Sequence, residues 1–358
     1  MKTGIAHLPL HTGKAPAWLF QRMKELAREI ILVLLADYGP HEVLRRLSDP
    51  HWFQAFGCAL GFDWHSSGVT TTVCGALKEG LTPLLKESGL AIAGGKGAVS
   101  RKTPIEIEAS SSALHTDPIP LIYSSRLAAK VDNTALQDGY QLYHHLFLFT
   151  RDGRWAVIQQ GMNTQNRYAR RYHWLGEQVQ DFVREPESAI CCDRRELEVL
   201  NLVAKESEAA RTASTVLSRE APDHLLNEVG RLSTLALPAR HEVALADLNP
   251  KRLRSVMLKT YEAQAECFES LLGLPGVGPK TLRALALLSE LIYGAPPSFR
   301  DPARYSFAHG GKDGHPYRVN REVYDSSIHF LRKALQVAKI GHTEKLQAFR
   351  RLDRTFRV

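Results

Sequence analysis

The stretch Leu274–Thr281, which reads LPGVGPKT, constrains the fold of this chain more than any other segment. It lies between two segments whose apolar residues recur at the spacing of an α-helix. Its two glycines allow a tight turn, and Pro279 suits the first turn of a helix. The N–H groups of a first helical turn have no partner within the helix. The stretch therefore predicts a helix start that can bind an anion.

The segment Ala265–Gly294 resembles the helix-hairpin-helix motif, in which a hairpin holds the phosphate backbone of DNA without reading its sequence. This resemblance implies DNA as the partner. The residues it assigns to DNA binding are Gly276, Val277, Gly278, Lys280 and Thr281. The alternative interpretation is a pair of packed helices whose glycines only allow close approach.

Composition and charge agree with a folded protein that has a polyanionic partner. The 358 residues are enough for two or three domains, and 44% of them are hydrophobic. The net charge of +8 favours nucleic acid weakly. No apolar run reaches membrane-span length, and no leader pattern is visible at the start. Together with five cysteines that lack a C-x-x-C pair, this predicts a cytoplasmic protein.

Two further basic segments are candidates for contact with DNA backbone. The segment 94–103, GGKGAVSRKT, fails the spacing of a nucleotide-binding P-loop, which leaves a flexible basic loop against DNA as the hypothesis and a solvated glycine-rich turn as the alternative. The segment 167–174 interleaves basic and aromatic residues, a pattern that suits phosphate contact with base stacking. The candidate residues are Lys96, Arg101, Lys102, Arg170 and Arg171.

A candidate catalytic region precedes a predicted β-hairpin. An Asp-Gly pair at 152–153 separates two apolar, β-rich runs, which is a strong hairpin signal and predicts strands covered on both faces. Just before or within these runs lie the predicted catalytic residues Asp132, Asp138, His144 and His145. Of these, Asp132, Asp138 and His144 are the predicted ligands of a divalent metal, Mg²⁺ or Mn²⁺, in a nuclease site. A buried structural network of polar groups is the alternative.

The loop Gly61–Gly68, which reads GFDWHSSG, holds a second candidate pair. Asp63 and His65 are predicted to act as acid and base or to bind a metal. The alternative is that Ser66 and Ser67 cap the helix that follows.

A third hypothesis uses Lys280 and Asp301. DNA glycosylases of the helix-hairpin-helix superfamily have an aspartate after the hairpin, and bifunctional members have a lysine at its exit. By this resemblance Lys280 is a Schiff-base nucleophile and Asp301 its helper. The V-D-T-H context of that family is missing, and the alternative has Lys280 bind phosphate while Asp301 caps a turn.

The whole chain is similar to one uncharacterised prokaryotic family, the domain of unknown function numbered seven-six-three. The strings TGIAHLPLH, GFDWHSSG, AKVDNTALQDGYQLYHH, QQGMN, RRYHW and ARYSFAHGGKDGHPY carry the resemblance. It implies no chemistry.

These observations predict an α+β protein of two domains. Residues 1–188 form a mixed α/β domain with a small sheet, and residues 189–358 form a helical domain that bears the helix-hairpin-helix motif. The predicted function is DNA processing, as a metal-dependent nuclease. A base-excision glycosylase and a non-enzymatic DNA-binding or adaptor protein are the alternatives.

Overall fold

The computed structural model of the protein describes residues 15–61, 67–82, 88–192, 194–232 and 250–303, with short stretches between 329 and 350. Within these ranges the fold is mixed α and β, as the sequence predicts. The helices are α1 (Ala17–Ser48), α2 (Pro50–Ala59), α3 (Gly68–Leu81), α4 (Thr103–Ala109), α5 (Ile119–Lys130), α6 (Glu208–Leu217), α7 (Pro222–Leu232), α8 (Pro250–Ala263), α9 (Phe268–Gly273) and α10 (Pro279–Tyr293). The strands are β1 (Leu90–Lys96), β2 (Leu136–Gln137), β3 (Gln141–Thr150), β4 (Trp155–Asn163), β5 (Tyr168–Leu175), β6 (Ala189–Cys191) and β7 (Leu200–Asn201).

The long first helix carries its apolar residues every three or four positions, and that stripe is buried. Gly39 leaves the helical conformation at φ 79° and precedes Pro40, so α1 is kinked there. Asp49 then separates α1 from α2. Its side chain accepts hydrogen bonds from the backbone N–H groups of His51 and Trp52, which caps the start of α2.

Five strands form one antiparallel sheet in the order β1-β3-β4-β5-β6. The predicted hairpin at residues 151–153 is present between β3 and β4, with Gly153 at φ 83°. Strands β1 and β5 were not predicted, because the segments 94–103 and 167–174 read as basic segments that contact DNA.

Both faces of the sheet are buried, as the continuous apolar character of its strands predicts. One face packs against α1, α2 and α3, through side chains that include Leu146, Leu148, Ala156 and Ile158. The other face packs against α5 and the helices that follow residue 208, through Phe147, Phe149, Val157 and Trp174. The described part of the chain is therefore layered as helices, sheet and helices.

The domain border placed between residues 188 and 189 stays a prediction. Strand β6, which lies just beyond it, pairs with β5, and one hydrophobic cluster combines residues from β3, β4 and β5 with residues from α9 and α10. Among the described helices, none has both the length and the apolar character that a membrane crossing requires.

Candidate functional site

The turn between α9 and α10, residues 274–278, combines an exposed backbone with one buried anchor. Gly276 has φ +92°, a conformation that L side chains rarely adopt, so the turn needs glycine there. Val277 is only 3% exposed and packs into the second core. Pro275 and Gly276 are exposed. The anchor holds the turn against the protein while its tip faces solvent.

Helix α10 begins directly after this turn. Gly278 occupies the N-cap position in extended backbone, and no described side chain caps it. Pro279 takes the first helical position, as predicted. Lys280 is exposed on the first turn, whereas Thr281 is 5% exposed and faces the core. Of the predicted hairpin contacts, Val277 and Thr281 thus have buried side chains.

Lys130, the last residue of α5, forms hydrogen bonds to the side of the turn that faces the protein. Its ammonium donates to the carbonyl oxygen of Leu274 at 3.0 Å and to that of Val277 at 2.7 Å. Burial lowers the pKa of Lys130 from its usual value. On the same side, the Gln137 amide donates to the carbonyl oxygen of Pro279 at 2.9 Å. The inner side of the turn is therefore bonded to the segment that leads from α5 into β2.

The other basic candidates divide into two groups. Lys96, Arg101 and Lys102 are exposed, and residues Gly97–Lys102 form a short 3₁₀ helix rather than an irregular loop. Arg170 and Arg171 lie inside the molecule on β5, each 0% exposed. The structure corrects the assignment of these two arginines to DNA binding, because the sheet and its covering helices separate both guanidinium groups from solvent.

A chain of hydrogen bonds crosses the sheet face under α5. Ser125 on α5 bonds Nε2 of His145 at 2.9 Å, and Nδ1 of the same ring bonds Oε1 of Gln159 at 2.8 Å. Because Oε1 of Gln159 can only accept, Nδ1 carries the proton and Nε2 accepts from Ser125. The Gln159 amide donates to Oδ2 of Asp132, which also accepts from the indole of Trp174 at 2.9 Å.

This series of hydrogen bonds ends at the carboxyl group of Asp132, which lies near that of Glu187. The side chain of Asp132 is fully buried, and the carboxyl group of Glu187 lies near enough to affect its pKa. Burial is the main reason that the pKa of Asp132 lies well above its usual value, and the nearby Glu187 carboxyl raises it further. The other side chains that affect this pKa are Trp174, whose indole lowers it, and Asp138, whose carboxyl group raises it. Asp132 therefore holds a proton more readily than a carboxyl group in water does.

Asp138 has a different environment, although it lies only six residues further along the chain. The Arg170 guanidinium donates to Oδ2 of Asp138 at 2.8 Å and forms two parallel hydrogen bonds to the carboxylate of Asp301, at 2.9 and 2.8 Å. Burial alone would lower the pKa of Arg170, but the two carboxylates outweigh it and raise that pKa. The hydroxyl of Tyr172 also donates to Asp138 at 2.7 Å. Asp138 is held in a buried ion-pair network.

Asp301 is equally committed to this network. Besides Arg170, the backbone N–H of Glu196 donates to its Oδ2 at 2.6 Å and that of Ala303 to its Oδ1 at 2.9 Å. With both oxygens engaged, Asp301 ties the segment after α10 to β5. This geometry gives no support to its predicted role as the helper of Lys280, although it does match the turn cap of the alternative.

The opposite sheet face holds a second polar row. Register partners on successive strands place Lys96, His144, Gln160, Arg171 and Cys191 side by side across the whole sheet. The guanidinium of Arg171 donates to Oε1 of Gln54 at 3.2 Å and to Nε2 of His173 at 2.9 Å. Burial lowers the pKa of Arg171.

His144 stands out in this row. The ring is 1% exposed, and neither of its nitrogens has a hydrogen-bond partner among the described residues. Burial lowers the pKa of His144 to about 3, and the nearby His145 and Lys96 contribute to this shift. The imidazole is therefore neutral near pH 7.

The predicted metal triad is not assembled. His144 points to the face under α1–α3, whereas Asp132 lies on the face under α5, and the Asp138 carboxylate is bonded to Arg170. Within the described part of the chain, no three His, Cys, Asp or Glu side chains form a group that could hold a metal ion. The structure does not bring Asp132, Asp138 and His144 together, because they lie on different elements and the two carboxyl groups are bonded to partners other than the histidine. Asp63 and His65 lie outside the described residues.

Sequence reasoning missed the partners that give these groups their chemistry. Glu187 carries no local signal, because it lies in an irregular segment 55 residues after Asp132. Lys130 and Ser125 carry no sequence signal for their roles either. Their spacing on α5, five residues apart, shows only that one helix carries both. Contacts across the fold could not be read from the chain alone.

Fold and site together define an α+β protein with a buried polar centre in its sheet and an exposed glycine turn between two helices. The chain belongs to the family described as Protein of unknown function (DUF763), which matches residues 4–319. The resemblance to this family seen in the sequence is thereby confirmed over residues 4–319. Comparison with curated proteins and with solved structures gave no match.

Proposed function

We propose that this protein binds DNA through the turn between α9 and α10, in the manner of a helix-hairpin-helix motif. The observation that carries the proposal is the start of α10, where an exposed glycine turn leads into a helix whose N-cap has no side-chain cap among the described residues. N–H groups at such a start, with the positive end of the helix dipole, suit a phosphate oxygen. Contacts of this kind do not depend on base sequence.

Charge supports the same conclusion. Lys280 is exposed on the first turn of α10, and the chain as a whole carries a net charge of +8. The exposed residues Lys96, Arg101 and Lys102 add a second basic segment. Electrostatic attraction brings such a protein to DNA and makes the affinity depend on salt.

Fluorescence anisotropy with labelled single-stranded, duplex and branched DNA tests the proposal. The variant Gly278→Ala is informative because a Cβ at Gly278 would meet no heavy atom closer than 3.9 Å and the backbone there is extended. We expect it to fold normally but to bind DNA at least several-fold more weakly, because the methyl group blocks close approach of a phosphate. Gly273→Ala, whose Cβ would meet no heavy atom within 4 Å, is the matched control. Wild-type protein that binds none of these DNAs at low salt refutes the proposal.

A second candidate function, metal-dependent hydrolysis of DNA, is favoured by the Asp132–Glu187 pair. Arg170 balances the charges of Asp138 and Asp301. The pKa of Asp132, in contrast, is raised by burial and by the carboxyl groups of Glu187 and Asp138. Mg²⁺ commonly binds through one or two carboxylates together with water and phosphate oxygens. Asp132 and Glu187 would hold the ion, which would activate water and stabilise charge on a phosphate. Because Asp132 is 0% exposed, the phosphate would have to approach from the side of the half-buried Glu187.

Terbium luminescence tests this second candidate before any substrate is known. Trp174 lies 2.9 Å from Asp132, close enough to transfer energy to Tb³⁺ bound at the pair. We expect emission that Mg²⁺ or Mn²⁺ suppresses by competition and that Glu187→Gln abolishes, whereas Glu108→Gln, on the exposed surface of α4, leaves it unchanged. Cleavage of the DNA panel in Mn²⁺ but not in EDTA would then separate a nuclease from a DNA-binding adaptor. Absence of sensitised emission would leave a shared proton as the role of the pair.

A further inference from the structure

The two carbonyl groups that Lys130 holds bracket the tip of the α9–α10 turn. Leu274 precedes the tip and Val277 follows it, and the Lys130 ammonium bonds both carbonyl oxygens from the α5 side. The side chain of Val277 is buried as well. Side chain and carbonyl group of this residue are thus both fixed against the protein.

The planarity of the peptide bond carries this constraint to the next residue. In a trans peptide unit the C=O and N–H bonds point in opposite directions. The peptide that joins Val277 to Gly278 is trans, since the described residues contain no cis peptide bond. Because Lys130 draws the carbonyl oxygen of Val277 toward α5, the N–H of Gly278 is directed away from α5. That N–H belongs to the N-cap of α10, where the proposed phosphate binds.

We propose that Lys130 is the positioning residue of the DNA-binding turn: it aims the N–H of Gly278 at the phosphate by holding the carbonyl group behind it. This inference rests on the proposed DNA binding. It assigns to a lysine a role that does not include contact with DNA, because two of the three N–H groups of its ammonium are already used inside the protein.

A positioning lysine and a phosphate-binding lysine differ in their response to salt. Removing a lysine that contacts one phosphate lowers the slope of log Kd against log salt by about 0.9, because one counterion fewer is released. Removing a lysine that only orients a backbone N–H weakens binding and leaves the slope unchanged. Anisotropy titrations at four or five salt concentrations distinguish the two cases.

The experiment compares wild type with Lys130→Met and with Lys280→Gln, in which the exposed lysine of the first turn is neutralised. For Lys130→Met we expect about tenfold weaker binding with the wild-type slope, and for Lys280→Gln a slope lower by about 0.9. In ¹⁵N–¹H spectra, the Gly278 signal of Lys130→Met should no longer shift when DNA is added. A Lys130→Met protein that binds like wild type, or whose slope falls by about one, overturns the inference.

Two controls keep the result unambiguous. If Lys130→Met does not fold, Lys130→Arg takes its place, because a planar guanidinium keeps the charge but cannot place its donors as an ammonium does. Weaker binding with an unchanged slope then supports the inference, and wild-type affinity overturns it. If the wild-type protein itself binds no DNA, the proposed function fails, whereas strong wild-type binding that ignores Lys130 refutes this inference alone.

Discussion

At the scale of single residues, two adjacent histidines on β3 have opposite environments. His145 is bonded at both ring nitrogens, by Ser125 and Gln159, whereas His144 has no partner at either nitrogen among the described residues. A buried polar group without a partner costs free energy, and removal of a bonded group leaves its partners unsatisfied. The two rings should therefore respond differently to the same substitution.

We expect His144→Leu to leave the free energy of unfolding unchanged or to raise it by up to about 1 kcal/mol, since no hydrogen bond is lost. His145→Leu should lower it by about 2–4 kcal/mol, because Ser125 and Gln159 lose their shared partner. Urea denaturation of both variants measures the difference. A larger loss for His144→Leu than for His145→Leu would show that the ring of His144 has a bonded role.

His145 also predicts how stability depends on pH. Burial lowers the pKa of His145 to about 4, whereas an imidazole in the unfolded chain titrates near 6.5. Between these values the unfolded chain holds a proton that the folded protein lacks. The stability that His145 contributes is thus present above about pH 6.5 and is lost as the pH falls toward 4.

The measurement compares wild type with His145→Gln at several pH values. Asp132, whose pKa is raised, acts in the opposite direction in both proteins, so the comparison removes its effect. The difference in unfolding free energy should shrink by roughly 1.4 kcal/mol for each pH unit below 6.5. A difference that is constant down to pH 5 would mean that the ring is protonated as easily as in the unfolded chain.

At the scale of elements, local sequence signals predicted some helices and strands but missed others. The β3–β4 hairpin and the start of α10 were predicted, because turn glycines and a first-turn proline act through the backbone of their own neighbours. Strand β5 was missed. Its Arg170 and Arg171 read as surface residues, and only the carboxylates and the amide that reach them from other elements make their burial possible.

The conformation of Gly276 in the α9–α10 turn predicts how a substitution there changes stability. Gly276→Ala places a side chain at φ +92°, which should cost about 1–3 kcal/mol. The nearest heavy atom to the new Cβ, in Val256, is 3.7 Å away, so backbone strain and not a clash is the cause. Thermal unfolding of Gly276→Ala beside Gly278→Ala measures it. Equal melting temperatures would show that the turn adapts without strain.

At the scale of the whole molecule, the predicted border at residues 188 and 189 leads to a truncation experiment. A fragment of residues 1–188 would lose β6 and the helices after residue 208, which together with α5 cover the face that carries Phe147, Phe149 and Trp174. We expect this fragment to bind a hydrophobic dye and to unfold without a cooperative transition, because α5 is then the part of that cover which remains and much of the apolar face is exposed. Cooperative unfolding of the fragment would instead establish residues 1–188 as a domain.

The polar row from Lys96 through His144, Gln160 and Arg171 to Cys191 has a consequence for how the sheet assembles. A slip of any strand by one position would turn its member of the row to the other face of the sheet. Arg171 would then lose the amide of Gln54 and be left charged in an apolar interior. Misaligned strands therefore cost free energy during folding. A purely aliphatic sheet would carry no such cost for a buried charge.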